Sequence, residues 1–198
     1  MNPLKSVTGT IVTGIVISAI AIWIFRDGAT HPSSIVVWLH ALAGVTWIGL
    51  LYYFNFVQVP GVAQAVAEAN DGGPGAAAIN KYVAPRALLW FRWGAVATWL
   101  TGASLLAQNG ILGDAFMLKS NAAMIGMGAW MGTIMLFNVW VLIWPNQKKI
   151  LGLDGKAHDA DVIASAKFTA LMASRVNTAL SIPMLLSMTS YGHGGFPF

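Results

Sequence analysis

The chain has 198 residues, of which 57% are hydrophobic and only 9% charged. A soluble domain carries about a quarter charged residues, so this chain has too little charge to cover a water-facing surface, and its hydrophobicity excludes disorder. The absence of Cys excludes disulfides, thiolate metal sites, iron–sulfur clusters, a cysteine nucleophile and covalently attached c-type haem. What remains is an integral membrane protein.

A helix crosses the hydrocarbon core of a bilayer with about 20 residues. Five stretches predict such helices: residues 7–25, 34–57, 87–107, 115–144 and 168–190. The fourth is longer than a span needs, and its core is expected from Asn121 to Trp144. The expected fold is an all-α bundle of five spans, a single transmembrane domain over 1–198. The apolar run after Lys5 is longer than a signal-peptide core and lacks a clean A-x-A site, so it reads as a retained helix. No ten-residue alternation suggests a barrel. The connections 26–33 and 108–114 are short. Residues 60–86 and 145–167 are expected to form long connections on the opposite face, with 158–167 leading helically into the fifth span.

Five spans put the termini on opposite faces. Lys5, Lys81, Arg86, Arg92, Lys148, Lys149, Lys156, Lys167 and Arg175 lie toward the N-terminal face, and only Arg26 and Lys119 toward the other, nine of the 11 cations against two. The positive-inside rule makes the N-terminus cytoplasmic and the C-terminus periplasmic, as in a bacterial inner membrane. The formal charge of +4 is therefore a topology signal. No basic stripe with stacking aromatics points to nucleic acid; the expected surroundings are lipid.

Three of the four histidines gather toward the outer face. His31 precedes Pro32 in a turn. His193 follows the fifth span. His40 lies about six residues into the second span, roughly 10 Å deep at 1.5 Å per residue. His40, Gly44 and Trp47 share one helix face by i, i+4, i+7 spacing. A neutral imidazole is a haem-iron ligand, a glycine one turn away leaves room for a flat macrocycle, and Trp47 can pack its edge. These residues predict a haem b site, with His193 as second axial ligand. The competing reading is a histidine bonded to a neighbouring helix, with Gly44 and Gly49 allowing close approach. His158 is expected to be solvated.

A second polar concentration lies toward the cytoplasm. It comprises Asn55 in span two, Arg92 in span three, Asn138 in span four, and Arg175 and Asn177 in span five, followed by Ser181 and Pro183. Arg92 and Arg175 have no acidic residue inside any span to neutralise them. They can snorkel to lipid phosphate, bind helix carbonyls, or grip a planar anion bidentately. The amides can equally serve helix packing. Gly126, Gly128 and Gly132 form a close-packing surface, and Met124, Met127, Met131 and Met135 recur at helical spacing as packing residues.

Three segments resemble one family: His40-Ala-Leu-Ala-Gly-Val-Thr-Trp-Ile-Gly-Leu-Leu-Tyr-Tyr-Phe-Asn-Phe56, Asn138-Val-Trp-Val-Leu-Ile-Trp-Pro-Asn-Gln147 and Arg175-Val-Asn-Thr-Ala-Leu-Ser-Ile-Pro-Met184. They look like the membrane domain of the PuuD-type urate hydroxylases, the urate oxidase N-terminal family. The resemblance implies a multi-helix membrane domain linked to purine oxidation, passing electrons to a c-type cytochrome. Family members are longer and end in a cytochrome c domain, which a chain without Cys does not contain. An oxidoreductase built on this chain would need a separate cytochrome as electron acceptor. Arg92, Arg175, Asn138, Asn177 and Asn55 would then hold a urate-like anion, with His40 near a redox centre. The alternatives are an accessory subunit of a larger membrane complex and, third, a transporter.

Overall fold

The computed structural model describes residues 2–25, 28 and 31–194, and all regular structure among them is helical. Arg26 and Asp27 of the expected outer turn lie outside the described residues. The chain divides between Ile35 and Val36 into two compact units.

The first unit carries α1 (Val7–Phe25). Its 19 residues are apolar on every side, so the hydroxyls must bond within the helix. They do: Thr13 Oγ1 donates to the Gly9 carbonyl at 2.8 Å and Ser18 Oγ to that of Gly14 at 2.9 Å. Ser6 caps the helix, its Oγ accepting the Gly9 amide at 3.0 Å, as an N-cap should.

The rest of the described chain contains α2 (Pro32–Tyr53), α3 (Val59–Ala67), α4 (Ala84–Gln108), α5 (Leu112–Phe116), α6 (Ala123–Phe137), α7 (Trp144–Ile150) and α8 (Ala160–Gly192). Among the described residues three helices are long and apolar enough to cross a membrane: Val7–Phe25, the continuous Pro32–Asp71 and the continuous Ala123–Ile150. The helices α4 and α8 have the length, with 25 and 33 residues, but are more polar.

The second expected span is thus one part of a continuous helical run of 40 residues. Pro60, Pro85 and Pro145 do not interrupt their helices. Each is preceded by a widened π-helical turn: Phe54–Gln58, Ile79–Val83 and Asn138–Ile143. A proline donates no N–H and its ring crowds the carbonyl one turn back; a wider turn moves that carbonyl away. Side chains bond carbonyls in or just before these turns. Asn55 Nδ2 donates to the Leu51 carbonyl at 2.9 Å, Arg86 Nη1 to that of Tyr82 at 2.7 Å, and Asn146 Nδ2 to that of Leu142 at 2.8 Å. The fourth expected span is corrected at its start. Residues 115–120 belong to α5 and a turn, and the long helix starts at Ala123.

The core joins α2, α4, the α6–α7 helix and α8 around Trp47, Leu51, Phe91, Met135 and Val139, each no more than 1% exposed. On α6, Gly126, Gly128 and Gly132 are buried. The Gly128 amide donates to Ser187 Oγ at 3.0 Å, and that hydroxyl donates to the Met124 carbonyl. A Cβ on Gly128 would lie 2.7 Å from Ser187 Oγ, so a larger residue there would displace that hydroxyl from its bonds to α6. His158 is not solvated as expected. Its Nε2 lies 2.7 Å from Asp154 Oδ2, and both side chains are under one-fifth exposed.

Candidate functional site

His40 projects from α2 onto α4. Its Nδ1 lies 2.9 Å from the Thr98 carbonyl oxygen and 3.0 Å from Thr101 Oγ1. A carbonyl only accepts, so Nδ1 carries the hydrogen. Thr101 Oγ1 donates to the Ala97 carbonyl at 2.7 Å and is free to accept from the imidazole. The ring rests on Gly102, where a Cβ would come within 3.0 Å of Cε1. The imidazole is thereby fixed in tautomer and position, and Nε2 keeps its lone pair without a protein partner among the described residues.

The imidazole borders a cavity of about 440 Å³ between α2, α4, α6 and α8. Gly44, Trp47, Gly49 and Tyr52 continue its wall along α2, Trp99 and Phe116 close one side, and Gly128, Gly132, Met184 and Met188 close the other. The volume falls within the range of small-molecule sites, about 300–1,000 Å³, which are mostly apolar with a few placed polar groups. Here the polar groups are His40 and the Trp47 indole. Trp47 is 1% exposed, and its Nε1–H has no acceptor. Such an unpaired buried donor costs about 1–3 kcal/mol. Of the expected site residues, the structure thus brings together His40, Gly44 and Trp47. His193 stands apart from the cavity lining; it is exposed just after α8, with Nδ1 donating to the Thr189 carbonyl at 2.8 Å.

The inner residues do not converge on one pocket. Asn138 Nδ2 donates to Asn177 Oδ1 at 2.8 Å, and Asn177 Nδ2 to the Met135 carbonyl at 3.0 Å, with Asn177 fully buried. Besides Leu51, Asn55 Nδ2 bonds Ser174 Oγ at 2.8 Å. Beside it Tyr52 and Ser181 hydroxyls meet at 3.0 Å; Ser181 Oγ donates to Thr178, so Tyr52 is the donor. These groups tie α2 and the α6–α7 helix to α8. Asn55 and Asn138 both sit in widened turns. Arg175 is exposed on α8, while Arg92 lays its guanidinium on the Trp144 ring, Cζ 3.9 Å from the centroid. Spacing could have shown part of this. Residues two apart on a helix point about 200° apart, so a buried Asn177 turns Arg175 away. The Thr98 partner of His40 left no local signal.

Residues 111–197 match the family model for the urate oxidase N-terminal family. The match covers α5 to α8, including Asn138, Arg175, Asn177 and His193, and the chain resembles that family over this region. His40, Asn55 and Arg92 precede it. No curated protein and no solved structure matches the chain.

Proposed function

We propose that this is a five-span protein of a bacterial inner membrane, with a cytoplasmic N-terminus, that holds a flat, largely apolar redox cofactor of the haem b type against His40. Its redox role would be electron transfer to a separate cytochrome or within a larger membrane complex. The distribution of cations supports the orientation. One observation carries the cofactor: His40, which lines an apolar cavity, gives its Nδ1–H to a backbone carbonyl and keeps Nε2 without a protein partner among the described residues. Histidine ligands to metals almost always donate the other ring N–H in this way, which fixes the ring and raises its basicity. The residues fit such a group. Gly44 and Gly49 leave the α2 wall low and the remaining walls are mostly apolar, which suits the faces of a macrocycle; no Arg or Lys lines the cavity, so haem propionates would have to lie outside it. When bound, haem would supply one-electron chemistry. The chain's own part is to orient the imidazole through Thr98 and to exclude water with Trp47, Trp99 and Phe116.

The absorption spectrum of the purified protein tests this reading. A Soret band that His40→Ala abolishes is expected; a wild-type protein expressed with ample haem and showing no Soret band refutes it. The second reading is an accessory subunit without cofactor. It is favoured by the Asn138–Asn177 and Asn55–Ser174 bonds, which commit the inner amides to packing. Co-purification of a defined complex with no chromophore in this chain would establish it.

A further inference from the structure

A different set of unmatched groups lies at the start of α4, away from the cavity. Arg92 stacks on Trp144, and Lys148, one turn further along α7, brings Nζ to 5.8 Å from the same ring centroid. Trp93, next to Arg92, meets Trp140 edge-on at 5.5 Å, and the buried Trp140 Nε1 has no partner. The cluster consists of donors. Among the described residues the two carboxylate ion pairs are Lys119–Asp114 and His158–Asp154, so neither Arg92 nor Lys148 has a counter-charge. A guanidinium presents five N–H donors and an ammonium three. The indole face attracts the cations but accepts no conventional hydrogen bond from them. The group that completes this arrangement is an oxyanion.

The surroundings indicate which oxyanion. The helices around the cluster expose large apolar side chains: Trp90 is 58% exposed, Trp93 55%, Phe137 55% and Val141 50%. A small hydrophilic anion gains nothing from such a surface. An amphiphile gains at both ends, with its charged head on the donors and its chains along the apolar side chains. Basic pockets between membrane helices on the cytoplasmic side take anionic lipid headgroups in this way, and Arg binds phosphate oxygens through paired N–H groups. We propose that Arg92 and Lys148, positioned by Trp144, bind the phosphate of an anionic phospholipid of the phosphatidylglycerol class. This site is independent of the His40 cavity and of any cofactor there.

The test uses the full chain purified in mild detergent. Native mass spectrometry reads retained lipid, and thermal unfolding is followed with phosphatidylglycerol, phosphatidylcholine or inorganic phosphate added. The proposal expects about one retained anionic lipid per protein, and an unfolding temperature raised by phosphatidylglycerol alone; because the contacts are charge-assisted, the double variant Arg92→Gln, Lys148→Gln should lower retention by about tenfold. Arg175→Gln, which removes an exposed cation elsewhere, should leave retention unchanged. Should Arg92→Gln fail to fold, Lys148→Gln alone carries the test, with a partial loss expected. Retention in that variant equal to wild type overturns the proposal. Equal stabilisation by inorganic phosphate also overturns it, in favour of a free-anion site, as does equal stabilisation by phosphatidylcholine.

Discussion

Replacing Asn177 by Ala is the sharpest test of how the inner polar residues are used. The side chain is fully buried and holds two bonds, one from Asn138 and one to the Met135 carbonyl. Interhelical polar contacts in membranes average about 0.6 kcal/mol and reach about 1.7. Asn138 Nδ2 would also be left without an acceptor, at about 1–3 kcal/mol. Asn177→Ala should therefore cost about 2–4 kcal/mol, and Asn138→Ala, which breaks one of the two bonds, about 1–2. Because both variants break the same bond, the double variant should cost less than the sum of the singles, by about 1 kcal/mol. Unfolding in bicelles by steric trapping gives all three values. Zero coupling, or an Asn177→Ala variant as stable as wild type, refutes the assignment of these amides to helix packing.

Three further outcomes are expected. Gly102→Ala should push the His40 ring by a few tenths of an ångström while leaving the fold intact. A displaced ligand shell of this kind costs metal sites about 10–100-fold in affinity, so haem titration should show a loss with little change in unfolding temperature. Gly126→Ala should destabilise strongly, since the new Cβ would fall on the backbone carbonyl of Ala115; overpacking costs about 1–3 kcal/mol or more, measurable by unfolding in detergent. The hydrogen bond from His158 holds the Asp154 carboxyl below its usual range. A depressed folded value means that the contact stabilises above the unfolded carboxyl value and is lost as pH falls through the lower folded one. The protection of the Leu151, Gly152, Leu153 and Gly155 amides against hydrogen exchange, relative to the intrinsic rate at each pH, should thus hold down to about pH 4, the ordinary Asp range, and fall below it, a step that Asp154→Asn removes.

The helices and the α6 glycine surface were legible because apolar runs and small residues act locally. So was the shared face of His40, Gly44 and Trp47, which follows from helical periodicity alone. The path of the chain beyond Gln58 was not. Pro60 and Pro145 read as stops, because a proline breaks a regular helix; whether a widened turn absorbs it depends on packing that no local rule encodes. The partner of His40 lies 58 residues away, and the stacking of Arg92 on Trp144 likewise joins separate helices. The bond between His158 and Asp154 spans only four residues, and a reading of local i, i+4 pairs would have found it.

The three widened turns also bear on how the protein meets bilayers of unequal thickness. A membrane helix answers mismatch by tilting, kinking or deforming the lipid, each at modest cost. In this chain the least costly place to bend is already built. The turns before Pro60, Pro85 and Pro145 give up regular helical bonds, and Asn55, Arg86 and Asn146 bond nearby carbonyls. Thinner or thicker membranes should therefore change the helix angle at these turns, while the tightly packed segment around Trp47, Phe91 and Met135 keeps its shape.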